Sequence, residues 1–486
     1  MTPAPHGPGP SMPRRTAILL VGRIISAGTT LVVLALVGRL RGDVELGAVA
    51  LGFAIGSIAG ALSDLGAISL LVREAARQPQ RAGQLLVGMS LLRLVTLSVA
   101  ILVAAAVALA IGGGAAPTIL LVASGIVVQS FAELTRAVFM ARQRFVVSAM
   151  HIVVENLAWV GVVTALLALR PDLPSAVIFG AGVAVLVASA LGGFVLVALI
   201  GRVVMGLPSG EEVRRLARLS PPFAAFAVLG IAYTRVDTVI VGMLIPGGLA
   251  AAGSYFAATR VIASFEYVPE AASRGAFPEL ARRFAHEPER VAPLLGQVGR
   301  GLLLIGGAVP AVLVSTGDRL LPALFATPPA TGWVLSALSI AVPIRYLGYL
   351  YGVALTSADA QGKRVAAAAT ALALVVVINL VAIATFGLVA PVAGAIAAAL
   401  AIGSLYAVFV HRQFGSVGID ARAVIGLTTA SAVGALVGLA VRAAAPEPLA
   451  PLLAGAAGLI TYALVALVGP GRPMLRAWQG SGFAGG

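Results

Sequence analysis

The 486-residue chain contains no cysteine, a single lysine (Lys363) and few aromatic residues, 6% in all. The lack of cysteine excludes disulfides, iron–sulfur clusters and thiol nucleophiles. Charge is also scarce: charged residues make up 11% of the chain, where a soluble domain carries about 25%. The four histidines, His6, His151, His286 and His411, are too scattered for a zinc site. Neither a phosphate-binding G-x-x-x-x-G-K-[ST] loop nor a nucleophile-elbow G-x-S-x-G occurs, so the expectation is a non-enzyme with no metal. What is abundant is apolar surface. Hydrophobic residues are 59% of the chain and the mean hydropathy is +1.02, which predicts an all-α polytopic membrane protein.

Fourteen apolar stretches are long enough to cross a bilayer as helices, the first over residues 16–38 and the last over 449–469. The net charge of +14 does not point to nucleic acid, because the basic residues lie in short loops between apolar stretches. Twenty-two Arg and Lys fall in the two tails and the even-numbered loops, five in the odd-numbered loops and six within spans. By the positive-inside rule both termini are cytoplasmic. The expected division is a disordered cytoplasmic tail (1–15), an N-lobe of six spans (16–200), a linker (201–220), a C-lobe of six spans (221–411), two further spans (422–469) and a cytoplasmic tail (470–486).

A weak internal repeat supports two lobes. Val37-Gly38-Arg39-Leu40, a short loop and Gly47 resemble Val241-Gly242-Met243-Leu244, a Pro-Gly-Gly loop and Gly253. The copies are six spans apart and so share one orientation, as parallel repeats about an axis along the membrane normal require.

The segments R-L-R-G-D-V-E-L-G-A-V-A-L-G (from Arg39), S-D-L-G-A-I-S-L-L-V-R-E-A-A-R (to Arg77), R-V-D-T-V-I-V-G (from Arg235) and A-G-S-Y-F-A-A-T-R (to Arg260) carry a family likeness. They resemble the polysaccharide transporters, O-antigen-type lipid-linked oligosaccharide flippases of the multidrug/oligosaccharidyl-lipid/polysaccharide exporter superfamily. The resemblance implies alternating access by two lobes, a polyprenyl-pyrophosphate-linked glycan as cargo and no ATP hydrolysis. Lipid II flippases are close relatives, and their arginine-rich first span is echoed here only by Arg23, which argues against a peptidoglycan role. Some relatives bind a coupling cation, sodium or proton, between spans seven and eleven, which places Asp237 and Asn379 as an ion-site pair.

Six charged residues are candidates to line a substrate cavity: Arg235, Arg260, Arg345, Asp237, Arg23 and Asp64. Asp237 lies roughly 12 Å below the Pro246-Gly247-Gly248 turn at a rise of 1.5 Å per residue. That is near the middle of a hydrocarbon core of about 30 Å, where an ionisable side chain must face protein or water. The bland alternative is a structural salt bridge from Asp237 to either arginine. Arginine suits a diphosphate, since its planar donors bind phosphate oxygens in a forked geometry. Arg23 and Asp64 either pair or form the inward mouth of the cavity. Arg93 is expected to snorkel to the interface, and Glu266 with Glu270 to form a rim pair balancing Arg274. Pro269 should kink span eight.

The reading is a flippase in the cytoplasmic (inner) membrane of a bacterium. It would move a lipid-linked oligosaccharide for surface polysaccharide biosynthesis, with glycosyltransferases or a polysaccharide polymerase as partners alongside membrane lipids. The competing readings are a cation-coupled multidrug exporter, whose cavity should be acidic and aromatic, and a non-transporting scaffold of the same fold. The linker segment Glu211–Leu219 is expected to lie on the membrane surface with its arginines toward anionic lipid.

Overall fold

The computed structural model describes residues 12–468 except 65, 202, 220, 359 and 420, and every regular element among them is helical. Of the tail expected to be disordered (1–15), residues 1–11 lie outside the described residues and residues 12–15 are helical, opening α1; the C-terminal tail beyond 468 also lies outside the described residues. The first half runs through α1 (Met12–Arg41), α2 (Asp43–Asp64), α3 (Ala67–Arg77), α4 (Ala82–Gly112), α5 (Ala116–Ala141), α6 (Phe145–Leu169) and α7 (Ser175–Leu199). The linker carries α8 (Gly210–Leu219). Then come α9 (Pro221–Leu244), α10 (Gly248–Phe265), α11 (Tyr267–His286) and α12 (Val291–Phe325), followed by α13 (Trp333–Ser339) and α14 (Val342–Ser357). The last four are α15 (Gln361–Phe386), α16 (Val389–Phe414), α17 (Ala421–Ala444) and α18 (Ala450–Val468).

Helices fill each of the fourteen expected stretches. Among the described residues, ten segments are long and apolar enough to cross a membrane unaided, and α13 with α14, bent by 46°, makes an eleventh. The other three stretches hold α1, α9 and α10. The chain is an all-α polytopic membrane protein. Only helices with internally satisfied backbones can cross lipid here, since no closed barrel is available to an all-helical chain.

Breaks occur where the residue types demand them. Gly247 takes a left-handed φ of 69° and Gly66 one of 75°, conformations that a side chain would strain. Gly247 ends the turn before α10, and Gly66 separates α3 from α2. Pro269 acts one turn upstream of itself. It has no N–H, and its ring crowds the carbonyl four residues back. That carbonyl belongs to Phe265, where α10 stops. The Tyr346 hydroxyl donates to it at 2.7 Å, replacing the lost helical bond. The bend between α13 and α14 likewise falls just before Pro343.

Two compact units result. The first comprises Met1–Val33, Ala59–Val103 and Ser124–Ala225; the second Leu34–Ile58, Ala104–Ala123 and Phe226–Gly486. In the first, Leu70, Leu85, Met89, Leu134 and Phe139 form the core, and Leu216 of the linker helix is fully buried among them. Arg215 of the same helix bonds Glu74 at 3.2 Å, and Arg81 bonds Glu212 at 2.9 Å. The linker helix is thus docked on protein through Leu216, with Arg214 and Arg218 left exposed. Val213, Leu216 and Leu219 form a narrow apolar stripe, and protein rather than lipid covers Leu216. Leu216→Ala should cost about 2–4 kcal/mol locally. Undocking would then be seen as faster trypsin cleavage at Arg214, Arg215 and Arg218, whereas unchanged cleavage would mean that the helix is held by its ion pairs alone.

In the second unit α17 and α18 pack on α12 through small residues. A Cβ on Gly434 would meet the Gly458 carbonyl oxygen at 2.7 Å, and one on Gly458 would meet that of Ala311 at 2.5 Å. Close backbone approach of this kind is how helices associate where lipid removes the hydrophobic drive. Arg442 on α17 locks the contact with a forked bond to Asp318 of α12, at 2.5 and 2.7 Å. Beyond the apolar part of α11, Arg282 and Arg283 hydrogen-bond Glu279 and hold its carboxyl down at about 2, so it stays ionised at any physiological pH.

Candidate functional site

The second unit holds three of the predicted arginines: Arg235 and Arg345 line its cavity, while Arg260, expected there too, is not among the lining residues and meets Arg235 only across the Phe256 ring. α2 and α10 approach each other where the repeat aligns its glycines: a Cβ on Gly253 would lie 2.8 Å from the Gly47 nitrogen. Further along the same two helices, Phe53 and Phe256 come into contact with ring centroids 5.7 Å apart. The Arg260 guanidinium lies over both rings, 4.7 Å from the Phe256 centroid and 5.2 Å from that of Phe53. Arg235, from α9, lies 5.8 Å from the Phe256 centroid. Two guanidinium groups therefore share one aromatic ring.

Both lie more than two helical turns from the turn that joins α9 to α10. Arg235 is about 14 Å of helix from the end of α9, and Arg260 about 18 Å from the start of α10. The Nε of each is buried without a hydrogen-bond partner, and neither makes an ion pair with any described residue. The salt-bridge alternative for Asp237 is thereby removed. Its carboxylate instead accepts from the Thr238 amide at 2.7 Å and from the Tyr255 hydroxyl, which also reaches the Pro391 carbonyl at 3.3 Å.

A cavity of about 440 Å3 lies inside this unit, bounded by α9, α10, α14, α15 and α16. Arg235 and Asp237 line it, with Arg345, Glu266, Tyr349 and Arg364. Arg345 makes an ion pair with Glu266, whose other oxygen accepts from the Tyr349 hydroxyl at 2.8 Å. The Arg274 side chain that Glu266 was expected to balance lies outside the described residues; the break before Pro269 leaves Glu266 paired with Arg345 instead.

The remaining candidates lie elsewhere. Asp64 belongs to the first unit and pairs with Arg93 at 3.2 Å, while Arg93 also donates to the Ser130 carbonyl at 2.9 Å. Arg93 does not snorkel: its side chain is 1% exposed, beside Phe131. The side chain of Arg23, the expected partner of Asp64, lies outside the described residues. Asn379 is fully buried, donates to the Val375 carbonyl at 2.7 Å and has an unpartnered Oδ1. Of the expected ion-site pair only Asn379 therefore offers a vacant oxygen. Among the described residues no group of three acidic or histidine side chains is arranged to hold a metal ion.

Sequence reasoning missed Phe53, Phe256, Tyr349 and Arg364. The last was counted as a loop charge because it follows Lys363, yet it donates to Thr356 at 2.6 Å from the first turn of α15 and faces the cavity. The phenylalanines had a usable signal, since they follow repeat-related Gly47 and Gly253 at six and three residues.

A search against curated proteins finds no match. Among solved structures, the fold is similar to the lipid II flippase MurJ in an inward closed conformation, at a TM-score of 0.71 and 14% identity over 93% of this chain and 98% of that one. It is similar to a MOP superfamily transporter from Pyrococcus furiosus described as having a binding pocket of reverse polarity, at 0.57 and 15% identity over 84% and 97%. The MATE multidrug transporter DinF-BH is similar at 0.57 and 14% identity, over 83% and 97%. At these identities the likeness is one of fold. The family of polysaccharide biosynthesis proteins matches residues 13–282, more than half of the chain, and the chain belongs to that family.

Proposed function

We propose that the protein is a flippase that carries a polyprenyl-diphosphate-linked oligosaccharide across the cytoplasmic membrane by alternating access, with both termini in the cytoplasm. The observation that carries this reading is the Arg235–Arg260 pair on Phe256, more than two helical turns from the α9–α10 turn and without a carboxylate partner. A cation at the centre of a bilayer costs about 3 kcal/mol even on translocon-insertion scales. Two cations without counter-ions are a standing penalty that a bound dianion removes. A diphosphate thus gains affinity from the charges it neutralises, and a ligand bound more tightly in one state than another is what drives a conformational cycle. The phenylalanine faces hold the guanidinium planes in place and leave their edge donors for phosphate oxygens.

A drug exporter for lipophilic cations would need the opposite polarity. Three arginines line the cavity against Glu266 and Asp237, and both acids are already engaged. For a coupling cation, the vacant Asn379 oxygen alone is a poor ligand set, so no step of this reading runs through a bound ion.

The test is export of the surface glycan in cells carrying Arg235→Ala, Arg260→Ala or Arg345→Ala. Each should abolish export while the protein remains in the membrane at normal levels. Normal glycan in all three strains would sink the proposal.

A further inference from the structure

We propose that Glu266 is a tethered counter-anion: the diphosphate displaces its carboxylate from Arg345 and Tyr349, and Glu266 thereby sets how much negative charge a ligand must bring to bind. This rests on the flippase reading and adds a specificity-determining residue to it.

Three features separate this ion pair from the packed Arg136–Glu155 pair of the first unit. The first is its setting. The Arg345 and Glu266 side chains are 27% and 15% exposed and border the 440 Å3 cavity. By contrast, Arg136 and Glu155 of the first unit are 7% and 1% exposed and fill packed protein. The second is satisfaction. Glu155 accepts from Gln129, Arg136 and Ser189 at 3.1, 3.1 and 2.6 Å. Among the described residues Glu266 has only the Tyr349 hydroxyl and Arg345, so two partners have to be replaced rather than a network.

The third is placement. Pro269 ends α10 at Phe265, and Pro343 sits in the first turn of α14, two residues before Arg345. Each partner is thus at a helix break that projects it into the cavity.

Breaking a partly buried ion pair is costly because one charge is left alone. Exchanging one anion for another avoids that penalty at Arg345. The incoming group must still beat a carboxylate that is already attached to the chain. A monoanion has no advantage in that contest, whereas a diphosphate has more charge and more acceptor oxygens, enough to reach Arg345 and Arg235 of the same cavity together. The released carboxylate stays at the cavity surface and not in packed protein. Glu266 would then exclude monophosphate lipids and other weak anions from arginines that would otherwise hold them.

The experiment is calorimetric titration of the purified full-length chain in nanodiscs with inorganic pyrophosphate, inorganic phosphate and farnesyl diphosphate. Glu266→Gln keeps the shape and an acceptor for Tyr349 but removes the charge. It should tighten pyrophosphate binding at least tenfold and narrow the preference for pyrophosphate over phosphate, and Arg345→Ala on that background should remove the gain. Tyr349→Phe, which loosens the carboxylate without touching any charge, should shift binding the same way by a few fold and carries the test if Glu266→Gln fails to fold. Unchanged or weaker binding of both pyrophosphate and farnesyl diphosphate in both variants, or a gain that survives Arg345→Ala, would overturn the proposal. A gain for farnesyl diphosphate alone would identify the lipid-linked anion as the ligand, and an equal gain for both a site that reads the diphosphate itself. The assay is independent of transport. Tighter binding in Glu266→Gln alongside normal glycan in the arginine variants would keep the exchange and reject the flippase; lost glycan with unchanged binding would do the reverse.

Discussion

Gly47→Ala is expected to leave little folded protein in the membrane. A Cβ at that position would lie 1.8 Å from the Leu249 carbonyl oxygen and 2.3 Å from its carbon, both backbone atoms that cannot rotate away. One methyl group must therefore push α2 and α10 apart. Overpacking of a tight core costs about 1–3 kcal/mol and more where backbone has to move. The same separation would pull Phe53 from Phe256 and remove the platform under Arg260. Gly60 lies on the same helix, and a Cβ there would meet nothing within 4 Å. Gly60→Ala should be neutral or stabilising by up to about 1 kcal/mol, through helix propensity alone. Membrane level and the thermal midpoint by fluorescence-detected size exclusion compare the two. Equal stability of both variants would mean that α2 and α10 do not meet at this glycine.

Arg260 is where the largest functional loss should fall. Arg260→Ala removes both a charge and its stack, and at least a hundredfold loss in export rate is expected from one forked, desolvated phosphate contact together with its aromatic support. Arg260→Lys separates the two contributions. An ammonium keeps the charge but lacks the planar face and the fork, so it should restore only a small part of the rate, leaving export about tenfold or more below wild type. Phe256→Leu should cost less than either, because Phe53 still supports the guanidinium. The check is the initial rate of glycan appearance at the cell surface, normalised to protein level. Full activity of Arg260→Lys would show that only net charge matters at this position.

The helices were legible because each needs about twenty apolar residues and the sequence supplies fourteen such runs. The importance of Arg235, Arg260 and Arg345 was legible for the same reason: a charge deep in an apolar run has few explanations. What each charge faces was not. Glu266 looked like a rim residue because a helix continued through Pro269 places it near a membrane surface. The structure stops that helix at Phe265, and the hydroxyl that binds Glu266 comes 83 residues later in the chain. Arg93 looked able to snorkel because depth was read without facing; its side of α4 turns inward, toward Asp64 and Ser130. For α8, the apolar stripe was visible but not its cover, since Leu70, Leu85 and Leu134 around Leu216 lie more than eighty residues upstream. Local pattern thus specified the elements, while the ion pairs depended on contacts between segments far apart in sequence.

The most direct measurement is translocation itself. The purified chain is reconstituted into liposomes carrying a fluorescently labelled polyprenyl-diphosphate oligosaccharide, and loss of the label from the inner leaflet is followed with a membrane-impermeant quencher. The account predicts transfer well above protein-free liposomes for the wild type, with Arg260→Ala at the protein-free rate. Equal rates for wild type and Arg260→Ala, whether fast or slow, would contradict it.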